Sequence, residues 1–331
     1  MSAGNNSDDA FIAEIQRIRA EDFRLKEASN LFNGLKNLCQ EASILHLLYE
    51  RPSDKDLYVK VYDVPGTLSG NILRLQANLP WDLLSRHSAI QGDEISPIPL
   101  RNFDDDNDAE EDTADLVTQL PLVAFDERVH FAKPSKFRSE IPNLLKAKGL
   151  PHIVQLLGRT EDGRLVFPKL VIGERLAMAT PSIAEFKRIL LQLADALISL
   201  HSIGLIHRDL ALRNILASSD YRTAYLCDLE CCYGSSQCPE IADASARGLD
   251  LSVIPYSQKS DVYMFGQLMA DFILCNVTRT RWQSILGGNW LPPAPFRSIV
   301  LACVAVEPSA RPDMHQIKAM LQAIPVSDAA K

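Results

Sequence analysis

The sequence predicts an α+β fold in which short strands precede a long run of helices, behind a mainly helical extension. Three observations carry that expectation. Apolar runs bounded by turn residues recur between 120 and 167. Apolar stripes at three- and four-residue steps dominate from Pro181 onward. Residues 104–115 hold eight carboxylates and no base, and they separate both regions from the preceding hundred residues.

Taken in order, residues 10–50 are expected to be helical. Phe11, Ile15, Ile18, Leu25, Phe32, Leu35, Cys39, Ala42 and Leu45 recur at three-, four- and seven-residue steps, with Gly34 as a break between two helices. Such a stripe packs against the rest of the chain or offers a coiled-coil or partner-binding face. Pro52 and Ser53-Asp54-Lys55-Asp56 end it, and Leu57-Tyr58-Val59-Lys60-Val61-Tyr62 alternates as a strand. From 66 to 103 only a short helix near 81–85 is indicated. Residues 1–103 thus form the extension, mainly helical with short strands. Residues 104–118 form an acidic linker whose like charges repel and stay solvated. That run lacks the glycine and the terminal bidentate Glu of a calcium loop.

From 119 the pattern changes. Leu120-Pro121-Leu122-Val123-Ala124-Phe125 and Arg128-Val129-His130-Phe131-Ala132-Lys133 flank Asp126-Glu127 as a hairpin would. A short helix is expected over 136–148. A second hairpin joins 153–158 to 165–167 around Glu161-Asp162-Gly163. Pro181-Ser182 then opens a helix with Ile183, Phe186, Leu190, Leu193, Leu197 and Leu200 on one face. From Lys259 the chain reads as helices separated by Gly287-Gly288 and Pro292-Pro293.

Composition narrows the function classes. Thirty-four basic against forty-two acidic side chains leave a formal charge of −8, which argues against nucleic acid or an anionic membrane as partner. Seven cysteines, an odd number placed partly in apolar runs, read as reduced thiols of a cytoplasmic or otherwise intracellular protein. Cys231-Cys232 with Cys238 lacks the paired spacing of a metal cluster. The first ten residues have neither a basic nor an apolar region, so no signal peptide is expected. No run reaches the roughly 18 apolar residues of a membrane span.

Four stretches carry chemistry. His207-Arg208-Asp209-Leu210-Ala211-Leu212-Arg213-Asn214 puts an amide oxygen five residues after a carboxylate. The carboxylate can accept a hydroxyl proton, and the amide oxygen can ligate magnesium across a tight loop. Asp228-Leu229-Glu230 follows the apolar run 224–227, which reads as a buried strand. Cys238-Pro239-Glu240 comes next. The last are Ser260-Asp261-Val262-Tyr263-Met264-Phe265-Gly266 and Glu307-Pro308-Ser309-Ala310-Arg311-Pro312. These resemble, in order, the catalytic loop, the D-F-G and A-P-E motifs and the late-helix signatures of the eukaryotic protein kinase superfamily. The chain most resembles its divergent fungal members, in which D-L-E and a very short activation segment recur.

The resemblance implies a two-lobed fold, with a reduced small lobe at about 119–175 and a helical large lobe at about 176–325. It implies magnesium and ATP as cofactors, Asp209 as the catalytic base with Arg213 beside it, and Asn214 and Asp228 as magnesium ligands. Lys133 stands for the lysine of V-A-I-K, with Glu140 as its helix partner, and Leu216 for a nucleotide-contacting residue. Glu240 and Arg311 stand for a buried ion pair, and Asp261 for the carboxylate that holds the catalytic-loop backbone. Arg208 stands where an activation-loop phosphate is met. Leu144, Leu156, His207 and Leu229 stand for a column linking the lobes. Ala211 and Arg213 make the loop more like that of a tyrosine kinase.

The chain also departs from the pattern. No glycine-rich motif precedes Lys133. Phe131 replaces a small residue above the adenine, where its ring can fill the pocket. Glu230 replaces the motif glycine, and only twelve residues separate Asp228 from Glu240. The resemblance therefore implies a phosphotransferase acting on a protein hydroxyl, or alternatively a pseudokinase that serves as a binding or scaffold module.

Overall fold

In a computed structural model of the chain, the described residues are 3–28, 35–41, 44–49, 56–74, 79–84, 86–100, 111–180, 182–231, 238–246, 249, 256–275 and 291–326. They build two hydrophobic cores, one small and sheet-based, the other large and mostly helical.

Helix α1 (Ala3–Ala28) belongs to the larger core. Phe11 and Ile15, four residues apart, are buried, and the Phe11 ring lies 6.0 Å from that of Phe186 and 5.6 Å from that of Phe296. Asp8 accepts a hydrogen bond from the Ile183 amide (2.9 Å), and Arg19 donates to the Ile273 carbonyl (2.6 Å). This part of the apolar stripe packs within the chain. Phe32 and Gly34 lie outside the described residues.

The helical expectation fails beyond residue 34. Strands β1 (Leu35–Glu41), β2 (Ile44–Tyr49), β3 (Leu57–Tyr62), β4 (Ser88–Gln91) and β5 (Glu94–Pro97) form one sheet in sequence order. All pairs are antiparallel except β3 with β4, which are joined through α2 (Leu68–Arg74) and a 3₁₀ turn at Trp81–Leu83. The extension is therefore sheet-rich rather than mainly helical. Leu45, Leu47 and Tyr49 alternate and are buried, and Leu47 pairs with Val59 in the recognised strand. That cross-strand burial outweighs the helical spacing.

Residues 111–118, expected within the linker, fold onto the next unit, whereas 104–110 lie outside the described residues. Helix α3 (Ala114–Val117) buries Val117. Asp115 accepts two hydrogen bonds from Arg138, both 2.6 Å, and the Glu111 amide donates to the Lys136 carbonyl. The hairpin expected over 120–133 does not form. Strand β6 (His130–Lys133) pairs instead with β8 (Leu165–Pro168), which also pairs with β7 (Gly158–Arg159). Leu122 makes only an isolated bridge to Arg159. Pro121 supplies no amide proton for a ladder, and β8 offers Val166 and Phe167 as buried partners. The second hairpin forms, with a first strand shortened to two residues. Helix α4 is confined to Glu140–Lys146.

A third sheet, ordered β11-β10-β9, contains β9 (Val171–Ile172), β10 (Ile215–Ala217) and β11 (Ala224–Leu226). Around it lie α5 (Gly173–Ala179), α6 (Ile183–Ser202), α7 (Pro239–Ala246), α8 (Gln258–Leu274), α9 (Arg297–Cys303) and α10 (Met314–Gln322). Helix α6 starts where expected, with Ser182 accepting from the Glu185 amide, and its six stripe residues are all buried. Gly266 lets α8 meet α9, since a Cβ there would stand 2.5 Å from that of Cys303. Among the described residues no helix is long and apolar enough to cross a membrane.

Phe11→Ala is expected to lower unfolding stability by about 3–5 kcal/mol, the range for a buried aromatic. Chemical denaturation checks it. A loss within about 0.5 kcal/mol, as for surface substitutions, would detach α1 from the large core.

Candidate active site

The end of β6 delivers Lys133, and α4 begins at Glu140 after an irregular stretch from Pro134 and a turn at Arg138 and Ser139. Lys133 Nζ lies 2.8 Å from Glu140 Oε1, 3.0 Å from Asp228 Oδ1 and 3.7 Å from Glu230 Oε1. Seven residues suffice to place the lysine and its helix partner side by side. Burial pulls the Lys133 pKa down, but the charges of Glu140 and Asp228 outweigh it and raise the net value. Burial raises the Glu140 carboxyl, against the pull of Lys133. Burial, then the charge of Asp228, raises Glu230 to about 7, although Lys133 opposes both.

Helix α4 also fixes the backbone just after Asp228. Ser139 Oγ donates to the Glu230 carbonyl (2.6 Å), and Asn143 Nδ2 donates to the carbonyls of Leu229 (2.9 Å) and Glu230 (3.2 Å). Sequence reasoning missed these two residues. Their signal was two polar residues four apart, beside Glu140 on one helix face.

The second cluster hangs from Asp261, a fully buried carboxylate. It accepts from the backbone amides of His207 and Arg208, each 2.9 Å, and from His201 Nε2 (2.8 Å). In the loop so held, Asn214 Nδ2 donates to Asp209 Oδ2 (2.8 Å) and to the Asp209 carbonyl (2.7 Å). Arg213 Nη2 reaches both Asp209 carboxylate oxygens, at 2.7 and 2.5 Å. Asp209, Arg213 and Asn214 therefore form one hydrogen-bonded group. Two contacts join it to Asp228: His207 Nε2 donates to the Cys227 carbonyl, and the Cys227 amide donates to the Asn214 carbonyl, both at 3.0 Å.

Leu216, on β10, pairs with Ile172 and Tyr225 and stays partly exposed. Phe131 is two residues before Lys133 on β6 and 53% exposed, so solvent reaches a ring expected to fill a pocket. The Arg208 guanidinium lies over the Tyr256 ring, 5.2 Å from its centroid. Leu144, His207 and Leu229 are buried, and Leu156 packs partly exposed against the same core as the two leucines.

Away from the cleft, Arg311 is 2% exposed and uses every N–H of its guanidinium. Nη1 and Nη2 donate to the Glu240 carboxylate at 2.8 and 2.7 Å. They also donate to the carbonyls of Lys259 and Val306, both at 2.9 Å, and Nε donates to that of Ala305 at 2.7 Å.

The family described as protein tyrosine and serine/threonine kinase matches residues 125–321, more than half of the chain, and the chain belongs to that family. The chain is 34% identical over 105 residues to mitogen-activated protein kinase kinase kinase mom-4 of Caenorhabditis briggsae, covering 30% of this chain and 18% of that protein. It is 27% identical over 233 residues to a probable serine/threonine-protein kinase of Dictyostelium discoideum, covering 62% and 16%. It is also 27% identical over 153 residues to the inactive tyrosine-protein kinase kin-32 of Caenorhabditis elegans, covering 40% and 17%. The chain thus spans less than a fifth of each of these relatives.

Arg311→Ala strands the half-buried Glu240 carboxylate and is expected to cost about 3–5 kcal/mol by thermal or chemical denaturation. Burial pushes the Glu240 pKa up, but the Arg311 hydrogen bonds prevail and hold it below the ordinary value. With the folded pKa depressed, this contribution is complete above the usual carboxylate range and disappears as pH falls through the folded value. Arg311→Ala should therefore also flatten the acid limb of the stability profile. An unchanged acid limb would remove the pair from that role.

Proposed function

We propose that the chain is an ATP-dependent protein kinase that uses magnesium to transfer the terminal phosphoryl group of ATP to a protein hydroxyl. The observation that carries this reading is Lys133 bridging Glu140 and Asp228. A lysine so held can orient nucleotide phosphates. MgATP, when bound, supplies the transferable group and the metal charge that neutralises it.

The residues present suit that group. Asp228 offers carboxylate oxygens. The Asn214 amide nitrogen is engaged by Asp209, which leaves the amide oxygen as the acceptor that a hard cation takes. Leu216 would meet the nucleotide from β10. Asp209 would take the acceptor proton, and Arg213 would hold its carboxylate in position. The D-L-E motif and the twelve-residue separation of Asp228 from Glu240 support a place among divergent fungal kinase-like proteins. The three strands β6, β7 and β8 support a reduced small lobe. The formal charge of −8 favours a protein as substrate or partner over nucleic acid, in an intracellular setting.

A second reading, a pseudokinase serving as scaffold, draws on Glu230, which brings a further carboxylate 3.7 Å from Lys133. One relative also carries the name of an inactive kinase.

Calorimetry with MgATP and a phosphotransfer assay separate the two. Asp228→Asn is expected to abolish binding, since the phosphates are held chiefly through the metal. Asp209→Asn should keep binding and lose transfer, and Phe131→Ala should tighten binding if the ring crowds the nucleotide. A wild-type chain that gives no heat with MgATP and no phosphate on any protein belongs to the scaffold reading.

A further inference from the structure

Glu230 has no part in the phosphotransfer scheme, yet its side chain enters the cleft. One oxygen from each of Glu140, Asp228 and Glu230 lies within 4.8 Å of the other two. Lys133 touches all three residues but brings a single positive charge. With every carboxylate ionised, the group is two positive charges short.

A separate observation points to a ligand. Glu140 is 1% exposed, and only its Oε1 is engaged by Lys133. Its Oε2 is buried and has no hydrogen-bond partner among the described residues. An unsatisfied buried acceptor costs about 1–3 kcal/mol, and more when charged. Lys133, the donor of this group, engages Oε1 and leaves Oε2 without one.

We propose that Glu140, Asp228 and Glu230 form a binding site for one divalent cation, magnesium or manganese, that fills without nucleotide. All three ligands are hard oxygens, the class these ions take. Octahedral coordination at about 2.0–2.1 Å keeps ligand oxygens at most about 4.2 Å apart. Neighbouring (cis) ligand oxygens stand only about 2.9 Å apart in that geometry, so the three oxygens need to close by up to about 2 Å between neighbours, and water can complete the shell. Glu140 then serves both cations, with Oε1 on Lys133 and Oε2 on the metal. The site goes beyond the phosphotransfer reading, because it needs neither Asp209 nor ATP and serves a scaffold equally well. Asp228 is common to this site and to the nucleotide-bound metal, whereas Glu140 and Glu230 belong to this one.

The test is a manganese titration of the nucleotide-free chain, with free Mn²⁺ read by electron paramagnetic resonance. One ion per chain should bind and be displaced by Mg²⁺. Glu230→Gln should weaken binding about tenfold or more, as should Glu230→Gly, which restores the family residue. Asp162→Asn, an exposed carboxylate outside the cleft, should bind as wild type does. Absence of binding to the wild type would overturn the proposal, as would wild-type affinity in a folded Glu230 variant. Nucleotide binding, measured separately on the same proteins, decides the phosphotransfer reading on its own terms.

Discussion

The first turn of α8 is the constraint on which the larger, mostly helical core and the loop that carries Asp209 depend. Three consecutive residues face three different structures. The Lys259 carbonyl accepts from Arg311, the Ser260 hydroxyl donates to Glu240 and its carbonyl accepts from Cys238, and Asp261 holds the backbone amides of His207 and Arg208. Ser257 and Ser260 form a capping box that fixes where this turn begins. Asp261 and Arg311 are charged groups removed from water, a cost of several kcal/mol per ion. Complete pairing offsets it. Arg311 has no N–H left over, and Asp261 accepts from two amides and a histidine. Tolerance is therefore low, since a partner lost from either site leaves the burial cost uncompensated.

The cleft obeys different electrostatics. Burial and charge pull Lys133 in opposite directions, and charge wins because two carboxylates stand within 3.0 Å. The same burial raises Glu140, and it does so despite the lysine. A single pair would balance in charge, but Asp228 already adds a second carboxylate and Glu230 adds a third, at the position of a motif glycine. Its backbone is pinned by Ser139 and Asn143, so the side chain is directed into the cleft by helix α4 and is not a loose loop residue. Glycine at this position would leave room for a nucleotide and no extra charge. Glutamate makes the cleft more anionic and raises its demand for a cation.

The cleft was legible in the sequence because its chemistry ties residue types to short spacings. Asp209 with Asn214, and Lys133 with Glu140, lie close enough in the chain for one loop or one turn to bring them together. The features that escaped sequence reasoning depend on distant partners. Leu45 satisfies a helical and an alternating pattern alike, and only its pairing opposite Val61 decides between them. The carboxylates of 111–115 read as solvated until Arg138, 23 residues on, claims Asp115. Strand β6 had a plausible neighbour just upstream and took β8 instead. Ser139 and Asn143 look like any polar face of a helix until their acceptors, two carbonyls in the D-L-E segment, are known.

Backbone conformation bears on whether the site has kept a purpose. Arg208 and Asp228, neither of them glycine, take φ values of +70° and +67°. Such left-handed residues cost on the order of 1–3 kcal/mol each and persist where their surroundings over-determine them. The surroundings here are identifiable. The Arg208 amide is held by Asp261, and the peptide before Asp228 is held on one side by His207 and on the other by Asn214. In these conformations Asp228 Oδ1 lies 3.0 Å from Lys133 Nζ, and Asn214 Nδ2 donates to Asp209. A chain that used these residues only as scaffold would gain stability by relaxing them, so the retained strain supports a cleft that still binds a cation or a nucleotide.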